Sequence, residues 1–226
     1  MTDRLEILFE NKLDEIVDNT ILIVGLGGVG SYALETLVRT GIKRFIIVDS
    51  DIIDISNLNR QLMTLTNNVG LNKTDVWESR IKLINPNCEV IKYTNFITKD
   101  NIDMIFSTHV DYVIDACDTL DTKKEIIKYC LNNKIKFISS MGMANRTNNS
   151  YIKQSYLDKT KNDPLAKKLR TIIKKENIKG KIPVVYSEEL PKKSKKLGSV
   201  AHVVGTAGLC ITNYIINDIL EECYEK

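Results

Sequence analysis

The sequence of 226 residues predicts an α/β fold whose core is a mostly parallel sheet. Two observations predict it. Short apolar runs typical of buried strands alternate with segments of helical spacing through about the first 140 residues, and this alternation is typical of a parallel sheet covered by helices. A cluster of glycines also follows the first apolar run directly, as it does at the strand-to-helix turn of a βαβ unit.

The first βαβ unit is predicted from three consecutive segments. The apolar run 21–25 ends in glycine, and residues 31–40 after it have helical spacing. Gly41 ends that helix, and residues 43–51 form a second strand that ends in acids. The alternation then continues with predicted helices at 72–85, 101–109 and 122–133 and predicted strands at 88–94, 111–118 and 134–140.

The sequence divides into a core at residues 1–144, a basic insertion at 145–198 and a C-terminal helix at 199–226 that closes the core. The insertion contains a predicted helix at 164–177 and a possible strand at 182–189. Because few acids accompany its Lys and Arg residues, the insertion is a candidate surface for a polyanion. Gly205 and Gly208 are spaced to let the C-terminal helix pack closely against a neighbour.

The composition is ordinary for a soluble enzyme, with 43% hydrophobic and 27% charged residues and a net charge of +3. No stretch of about 18 uninterrupted apolar residues is present, and the first residues lack the basic-then-apolar plan of a secretory signal. We therefore expect a cytoplasmic protein with no membrane span. The odd number of cysteines, five, argues against a disulfide framework, and because they include no CxxC pair we expect no structural zinc site.

The glycine cluster predicts a nucleotide site. Without side chains, backbone N–H groups and the helix N-terminus can approach a phosphate closely. Asp49 ends the next strand at the distance along the chain expected of an acid that binds ribose. The glycines of the turn are Gly25, Gly27, Gly28 and Gly30.

The loop after the second strand favours ATP over a nicotinamide cofactor. A dehydrogenase pocket is expected to be more apolar, whereas this loop is charged and rich in amides. Lys73 follows on the next helix, so Arg60 and Lys73 can bring two cations to a triphosphate. The candidate ATP-binding residues of this loop are Asp51, Ser56, Asn57, Asn59 and Arg60.

Asp118 and Thr119 complete the predicted site. Asp118 ends the strand at 111–118 and can hold the Mg²⁺ that accompanies ATP. Alternatively, Asp118 caps the helix that begins near Thr119. All these candidates follow the carboxyl ends of successive strands, the edge where an open parallel sheet binds its ligands.

Together these motifs resemble the adenylating enzymes related to ubiquitin activation, a superfamily that includes the ThiF and MoeB types. The matching motifs are GLGGVG at 25–30, DSD at 49–51, SNLNRQ at 56–61, Lys73 and DACDT at 115–119. Within the superfamily the chain is similar to the tRNA threonylcarbamoyladenosine dehydratases, through residues 68–88, 162–170, 184–189 and 198–208. The resemblance covers nearly the whole chain and implies a Rossmann-like fold.

The resemblance implies ATP-dependent dehydration of threonylcarbamoyladenosine in tRNA through an acyl-adenylate, with no nucleophilic cysteine. It implies that Gly27, Gly28 and Gly30 cradle phosphate, Asp49 holds the ribose, Asn59, Arg60 and Lys73 contact the triphosphate, and Asp118 binds Mg²⁺ or orients ATP. It further implies a homodimer in which an N-terminal arginine reaches the partner's ATP site. Arg4 is the candidate for that residue.

Alternatives remain at this point. The same site would suit adenylation of the C-terminal glycine of a ubiquitin-like sulfur carrier, with a sulfur-relay or carrier protein as partner. Relatives of that type commonly have a CxxC pair, and some have a transfer cysteine, whereas residues 131–209 contain no cysteine. A dehydrogenase and a non-catalytic binding protein are the remaining alternatives.

Basic residues of the insertion are candidate tRNA contacts, because each phosphate bound by Lys or Arg releases counterions. They are Lys167, Lys168, Arg170, Lys174 and Lys175. The alternative is that this helix face is merely solvated.

Overall fold

A computed structural model describes residues 3–225. Their seven-stranded sheet has the order β3-β2-β1-β4-β5-β7-β6, and every strand pair is parallel except β6 with β7. The strands are β1 Thr20–Val24, β2 Arg44–Val48, β3 Glu89–Tyr93, β4 Tyr112–Asp115, β5 Lys136–Ser140, β6 Ile152–Tyr156 and β7 Pro183–Ser187. The helices are α1 Asp3–Phe9, α2 Leu13–Val17, α3 Gly28–Arg39, α4 Lys73–Ile84, α5 Ile102–Ile105, α6 Leu120–Asn133, α7 Pro164–Lys175 and α8 Ala201–Glu225.

The central strands form because their residues suit a sheet that is covered on both faces. All five residues of β1 are buried, and four of them are β-branched. One apolar cluster lies between the sheet and α3, α4 and α8, and a second lies between the sheet and α5, α6 and α7. The predicted α/β class with a mostly parallel sheet is confirmed.

Helix α8 covers one face by close packing on α3. A Cβ atom on Gly208 would lie 2.6 Å from the carbonyl oxygen of Val29, and one on Gly205 would lie 3.1 Å from the ring of Tyr32. The glycines therefore permit the close approach that their spacing predicts. Residues 201–221 are long and apolar enough to cross a membrane, but the helix packs against α3 and the sheet, and this burial accounts for its composition.

The basic insertion completes the sheet, since β6 and β7 both lie within it. Strand β7 matches the possible strand at 182–189, whereas β6 was not predicted. The sequence of β6, IKQSY, exposes Lys153 and Gln154 and has no apolar run that would indicate a strand. The predicted helix at 101–109 is a single turn, because the Ser and Thr residues after it are weak helix formers.

Candidate functional site

The site lies where the strand order reverses. Strands β1 and β4 are neighbours, but the chain continues from β1 to β2 on one side and from β4 to β5 on the other. A crevice therefore opens beyond the carboxyl ends of β1 and β4, which is where open α/β sheets bind ligands. The glycine turn follows β1, the acids of the DSD motif follow β2, and residues 116–119 follow β4.

The glycines of the turn have different roles. Gly25 has φ +90°, and a Cβ atom on it would lie 2.7 Å from the carbonyl oxygen of Ala116. A Cβ atom on Gly30 would lie 1.9 Å from the carbonyl oxygen of Gly25, so neither position admits a side chain without movement. Near Gly27, in contrast, the closest atom to a Cβ is 3.8 Å away, in the side chain of Gln61. The backbone at Gly27 is therefore open to a phosphate.

Gly28 begins α3 and lies against the closing helix. A Cβ atom on Gly28 would lie 2.9 Å from the side chain of Val204, in the first turn of α8. Helix α8 therefore packs against the glycine turn as well as against the middle of α3.

Asp49, Asp51 and Lys73 form a charged cluster beside the glycine turn. The carboxylate of Asp49 accepts hydrogen bonds from the backbone N–H groups of Leu26, at 2.6 Å, and of Asp51, at 2.9 Å. The side chain of Lys73 is only 4% exposed, and its ammonium group lies 2.6 Å from Asp51 Oδ2 and 3.7 Å from Asp49 Oδ1. Burial raises the pKa of Asp49, and the charge of Lys73 opposes that rise. The cluster brings one cation to the crevice in a fixed place.

Arg60 and Asn59 lie on the loop between β2 and α4. The guanidinium group of Arg60 donates hydrogen bonds to the carbonyl oxygen of Ser56, at 2.7 Å, and to Asn59 Oδ1, at 3.0 Å. Asn59 Nδ2 donates a hydrogen bond to the carbonyl oxygen of Ser199, at 2.8 Å, just before α8. These contacts fix the loop to the segment that leads into α8.

Asn57 shapes this loop rather than facing the crevice. It is 8% exposed, and its side-chain oxygen accepts a hydrogen bond from the N–H of Asp54 at 3.1 Å. Asp54 in turn accepts a hydrogen bond from the N–H of Ser56 at 2.8 Å. The sequence predicted Ser56 and Asn57 as ATP-binding residues. In the structure Asp54 and Asn57 hold a reciprocal cap on a short helix, so the side chain of Asn57 is engaged within the loop. Ser56 contributes only its backbone N–H, and its contact with ATP stays a prediction.

Gln61 was not singled out from the sequence. Its side chain is 6% exposed, and its Oε1 atom has no hydrogen-bond partner among the described residues. A buried acceptor without a partner is unfavourable, so a ligand donor at this place would be stabilising. Together with the open backbone at Gly27 nearby, this atom fits a polar ligand in the crevice.

Asp118 and Thr119 lie at the start of α6 and are both exposed. Thr119 is the residue that precedes the helix, and it makes no capping hydrogen bond with its side chain. The one hydrogen bond described for Asp118 is from the hydroxyl group of Thr119, at 3.5 Å. Asp118 is therefore not the helix cap that the alternative interpretation proposed, and its carboxylate is open to a cation.

A buried ion pair, which was not predicted, stabilises the loop at residues 116–119. Asp115 and Lys123 both have fully buried side chains, and Lys123 Nζ lies 3.1 Å from each oxygen of the Asp115 carboxylate. Ser139 donates a hydrogen bond to Asp115 at 2.5 Å, and the carbonyl oxygen of Ser140 accepts one from Lys123 at 2.8 Å. The pair joins the ends of β4 and β5 to the first turn of α6.

Cys117 belongs to the same network. Its thiol donates a hydrogen bond to Asp115 Oδ1 at 3.0 Å. Burial and the charge of Asp115 raise the pKa of the Cys117 thiol well above its usual range. The thiol therefore stays protonated at neutral pH and is a poor nucleophile.

The remaining predicted residues lie outside the crevice. Arg4 is exposed on α1. On α7 the lysines Lys167, Lys168, Lys174 and Lys175 are exposed. Arg170 differs from them, because its guanidinium group donates hydrogen bonds to the carbonyl oxygens of Leu157 and Thr160, at 3.2 Å each. It therefore fixes α7 to the chain before it.

The fold and the crevice define a Rossmann-like nucleotide-binding α/β protein. The chain belongs to the ThiF family, whose pattern it matches over residues 3–222. It is 38% identical to the tRNA threonylcarbamoyladenosine dehydratase of Bacillus subtilis, an alignment that covers 93% of this chain and 90% of that protein.

Solved structures agree with this assignment. The structure of the Escherichia coli dehydratase TcdA in complex with ATP superimposes with a TM-score of 0.92 at 34% identity, covering 99% of this chain and 98% of that one. The complex of the same enzyme with AMP gives a TM-score of 0.92 at 35% identity, covering 98% of this chain and 94% of that one. The predicted family and the predicted Rossmann-like fold are confirmed.

Proposed function

We propose that this protein uses ATP to activate the carboxylate of threonylcarbamoyladenosine in tRNA and closes the side group into a ring with loss of water. The observation that carries the proposal is the geometry at the reversal of strand order. Gly27, with its open backbone, follows β1, and the buried side chain of Lys73 is bonded to Asp51, which follows β2. Gln61, whose Oε1 atom has no partner among the described residues, lies next to Gly27. The similarity to an enzyme solved with ATP and with AMP supports ATP as the ligand.

The chemistry needs ATP because a carboxylate is a poor electrophile. In the first step a carboxylate oxygen attacks the α-phosphorus, the bond to the bridging oxygen breaks, and pyrophosphate leaves. In the second step the carbamoyl group loses a proton and attacks the acyl carbon. The bond between that carbon and its adenylate oxygen breaks, and AMP leaves with the former carboxylate oxygen.

The residues of the crevice fit this reaction by position and charge. Asp49 suits the ribose hydroxyl groups, since its carboxylate is fixed by two backbone N–H groups. Lys73 and Arg60 suit the phosphates, where preorganised cations stabilise developing charge. In related phosphoryl transfers a single arginine accelerates the reaction about 10³ to 10⁵-fold. Asn59 orients Arg60 through their mutual hydrogen bond.

Asp118 is the residue that would hold Mg²⁺ with ATP. Its carboxylate is exposed at the crevice, whereas the carboxylate of Asp115 is occupied by Lys123. Carboxylate oxygens are suitable ligands for Mg²⁺, which neutralises phosphate charge when it is bound.

The proposal is tested by incubating the purified protein and ATP with tRNA that carries threonylcarbamoyladenosine, followed by mass spectrometry of the nucleosides under mild conditions. We expect the modified nucleoside to lose one water in the presence of ATP, with one AMP formed per conversion. Lys73→Met serves as the inactive control. Formation of AMP only on addition of a ubiquitin-like carrier would instead support carrier activation, and reduction of NAD would contradict the site assignment.

We further propose that the protein acts as a homodimer in the cytoplasm, with Arg4 of one protomer at the ATP site of the other. The exposure of Arg4 on α1 leaves it accessible to a second protomer. Arg4→Ala should lower turnover without changing the melting temperature. Mixing this variant with Lys73→Met should restore part of the activity, because one site of the mixed dimer is then complete. A mixture as inactive as its components would contradict the proposal.

The exposed lysines of α7 remain our proposed outer contact for tRNA. Arg170 contributes less, since its guanidinium group is bound within the protein.

A further inference from the structure

A second basic feature lies in the segment that leads into α8, which is bonded to Asn59 of the crevice loop. We call residues 191–200 the basic loop; it lies between β7 and α8 and leads directly into α8. It contains no acidic residue, and its lysines are all exposed: Lys192, Lys193, Lys195 and Lys196. Four like charges on ten residues make a strong local positive potential.

Both ends of the basic loop are fixed to one residue. The N–H of Lys192 donates a hydrogen bond to the carbonyl oxygen of Asn145, at 2.8 Å. The N–H of Asn145 donates to the carbonyl oxygen of Gly198, at 2.7 Å, and Gly198 N–H donates to Asn145 Oδ1, at 2.8 Å. The lysines are thus presented on a loop whose base is held in place.

The two acidic residues that precede the basic loop are bonded to groups outside it. Glu188 lies 2.5 Å from Lys153 Nζ and accepts a hydrogen bond from the hydroxyl group of Tyr186. Glu189 accepts hydrogen bonds from the N–H groups of Thr147, at 3.0 Å, and Asn148, at 3.0 Å. Among the side chains of residues 4–221, which are the ones described, no ion pair involves the four lysines of the basic loop. Their charges are therefore available to a partner.

A groove of about 430 Å³ lies between the basic loop and residues 145–147. Lys192, Ser194 and Lys196 line one wall. Arg146 contributes to the lining but is 2% exposed, and its guanidinium group donates hydrogen bonds to the carbonyl oxygens of Gly142 and Glu189. Arg146 thus stabilises the groove, and the two lysines supply its available charge.

The basic loop also leads directly to the nucleotide crevice. The carbonyl oxygen of Ser199 accepts the hydrogen bond from Asn59, the neighbour of Arg60. Five residues further on, Val204 lies against Gly28 in the glycine turn. A molecule lying along the groove therefore has one end close to the proposed ATP site.

We propose that the basic loop and residues 145–147 bind the phosphate backbone of the RNA strand that carries the target adenosine, and thereby place it beside ATP. This inference rests on the proposed function. A phosphate chain fits because it offers a row of negative charges to lysines that have no carboxylate partner, and each such contact releases counterions.

The experiment compares two variants that each remove two positive charges. Lys192→Gln/Lys196→Gln changes the groove, and Lys128→Gln/Lys134→Gln changes exposed lysines on α6 and just after it, at the opposite edge of the sheet. Affinity for tRNA is measured from 50 to 200 mM salt, with the Kd for ATP measured in parallel. We expect the groove variant to bind tRNA about tenfold more weakly, with a salt slope smaller by about 1 to 2, while its ATP affinity stays at the wild-type value.

The control variant decides whether a loss of tRNA affinity is specific to the groove. A groove variant with the same tRNA affinity and salt slope as the Lys128→Gln/Lys134→Gln variant would overturn the inference. An equal loss of tRNA affinity in both variants would also overturn it, because such a loss would reflect the net charge of the protein alone. A wild-type protein that binds tRNA but forms no dehydrated nucleoside would overturn the proposed function, while the binding comparison would still decide the role of the groove. If the groove variant bound an acidic peptide more weakly than the wild-type protein does but bound tRNA equally well, the groove would be assigned to a protein partner instead.

Discussion

The nucleotide crevice and the basic loop both concentrate charge, but they do so in opposite ways. At the crevice, Lys73 is buried and bonded to Asp51, and the buried Asp115–Lys123 pair supports the loop that follows β4. In the basic loop, lysines are exposed and have no described carboxylate partner. Charges that stabilise a reaction act best when they are fixed in a dry site, whereas charges that attract a long polyanion act from solvent and are screened by salt. The two regions should therefore respond differently to mutation.

The largest effect is expected at the glycine turn. Gly30→Ala should destabilise the protein by about 3 kcal/mol or more, because a Cβ atom there would lie 1.9 Å from a backbone oxygen. Gly27→Ala should leave the melting temperature almost unchanged but weaken ATP binding at least tenfold, because its Cβ would occupy open space in the crevice. Thermal unfolding and ATP titration measure the two effects.

This pair separates packing from ligand binding at the same turn. Equal stability of the two variants would show that the glycines are interchangeable. Normal ATP affinity in Gly27→Ala would show that phosphate lies elsewhere.

The buried ion pair should give the next largest effect. Lys123→Met or Asp115→Asn alone should destabilise the protein by about 3 to 5 kcal/mol, because each leaves a buried charge without its partner. The double variant should be more stable than the sum of the two single changes predicts. Denaturant unfolding of the four proteins measures this coupling, and simple additivity would argue that the pair does not act as a unit.

The lysines of α7 should give a smaller effect than the basic loop. Changing the four exposed lysines Lys167, Lys168, Lys174 and Lys175 to Glu should weaken tRNA binding several-fold without altering ATP affinity. A salt titration of tRNA affinity measures the change. Equal loss of ATP affinity would indicate damage to the fold, and unchanged tRNA affinity would show that this helix face is only solvated.

Cys117 should give the smallest effect. Since burial raises the pKa of its thiol, the thiol stays protonated as the pH rises through the neutral range and does not contribute a titration to the rate. Cys117→Ala should keep turnover within about threefold and lose roughly 1 kcal/mol of stability with the hydrogen bond to Asp115. The rate of the wild-type protein and of the Cys117→Ala variant is measured between pH 6 and 9. A rise of the wild-type rate near pH 8 that is absent in the variant would indicate a nucleophilic cysteine.

Much of the crevice could be predicted because its residues belong to short motifs that are recognisable in the sequence. Glycines at a strand-to-helix turn and an acid after the next strand are close in sequence, so their pattern indicates their function. Lys123 could not be predicted, since nothing in a lysine on an amphipathic helix indicates that it is buried against Asp115. Gln61 was missed because its lack of a partner is visible only in the folded chain.

The same limit applies to the surface. From sequence, Arg170 is equivalent to the lysines around it, and only the structure shows its bonds to Leu157 and Thr160. Asn57 was predicted to bind ATP because polar residues followed a strand, yet its side chain caps its own loop together with Asp54. The sequence therefore indicates which loops carry function better than it indicates which side chains are free.

One isotope experiment tests the central claim most directly. With tRNA whose threonylcarbamoyl carboxylate carries ¹⁸O at both oxygens, a single turnover is followed by mass spectrometry of the nucleotides. Attack of the carboxylate on the α-phosphorus predicts one ¹⁸O atom in AMP and one retained in the cyclic nucleoside. Unlabelled AMP, or label found in phosphate beside ADP, would show that the carboxylate is not activated as an adenylate.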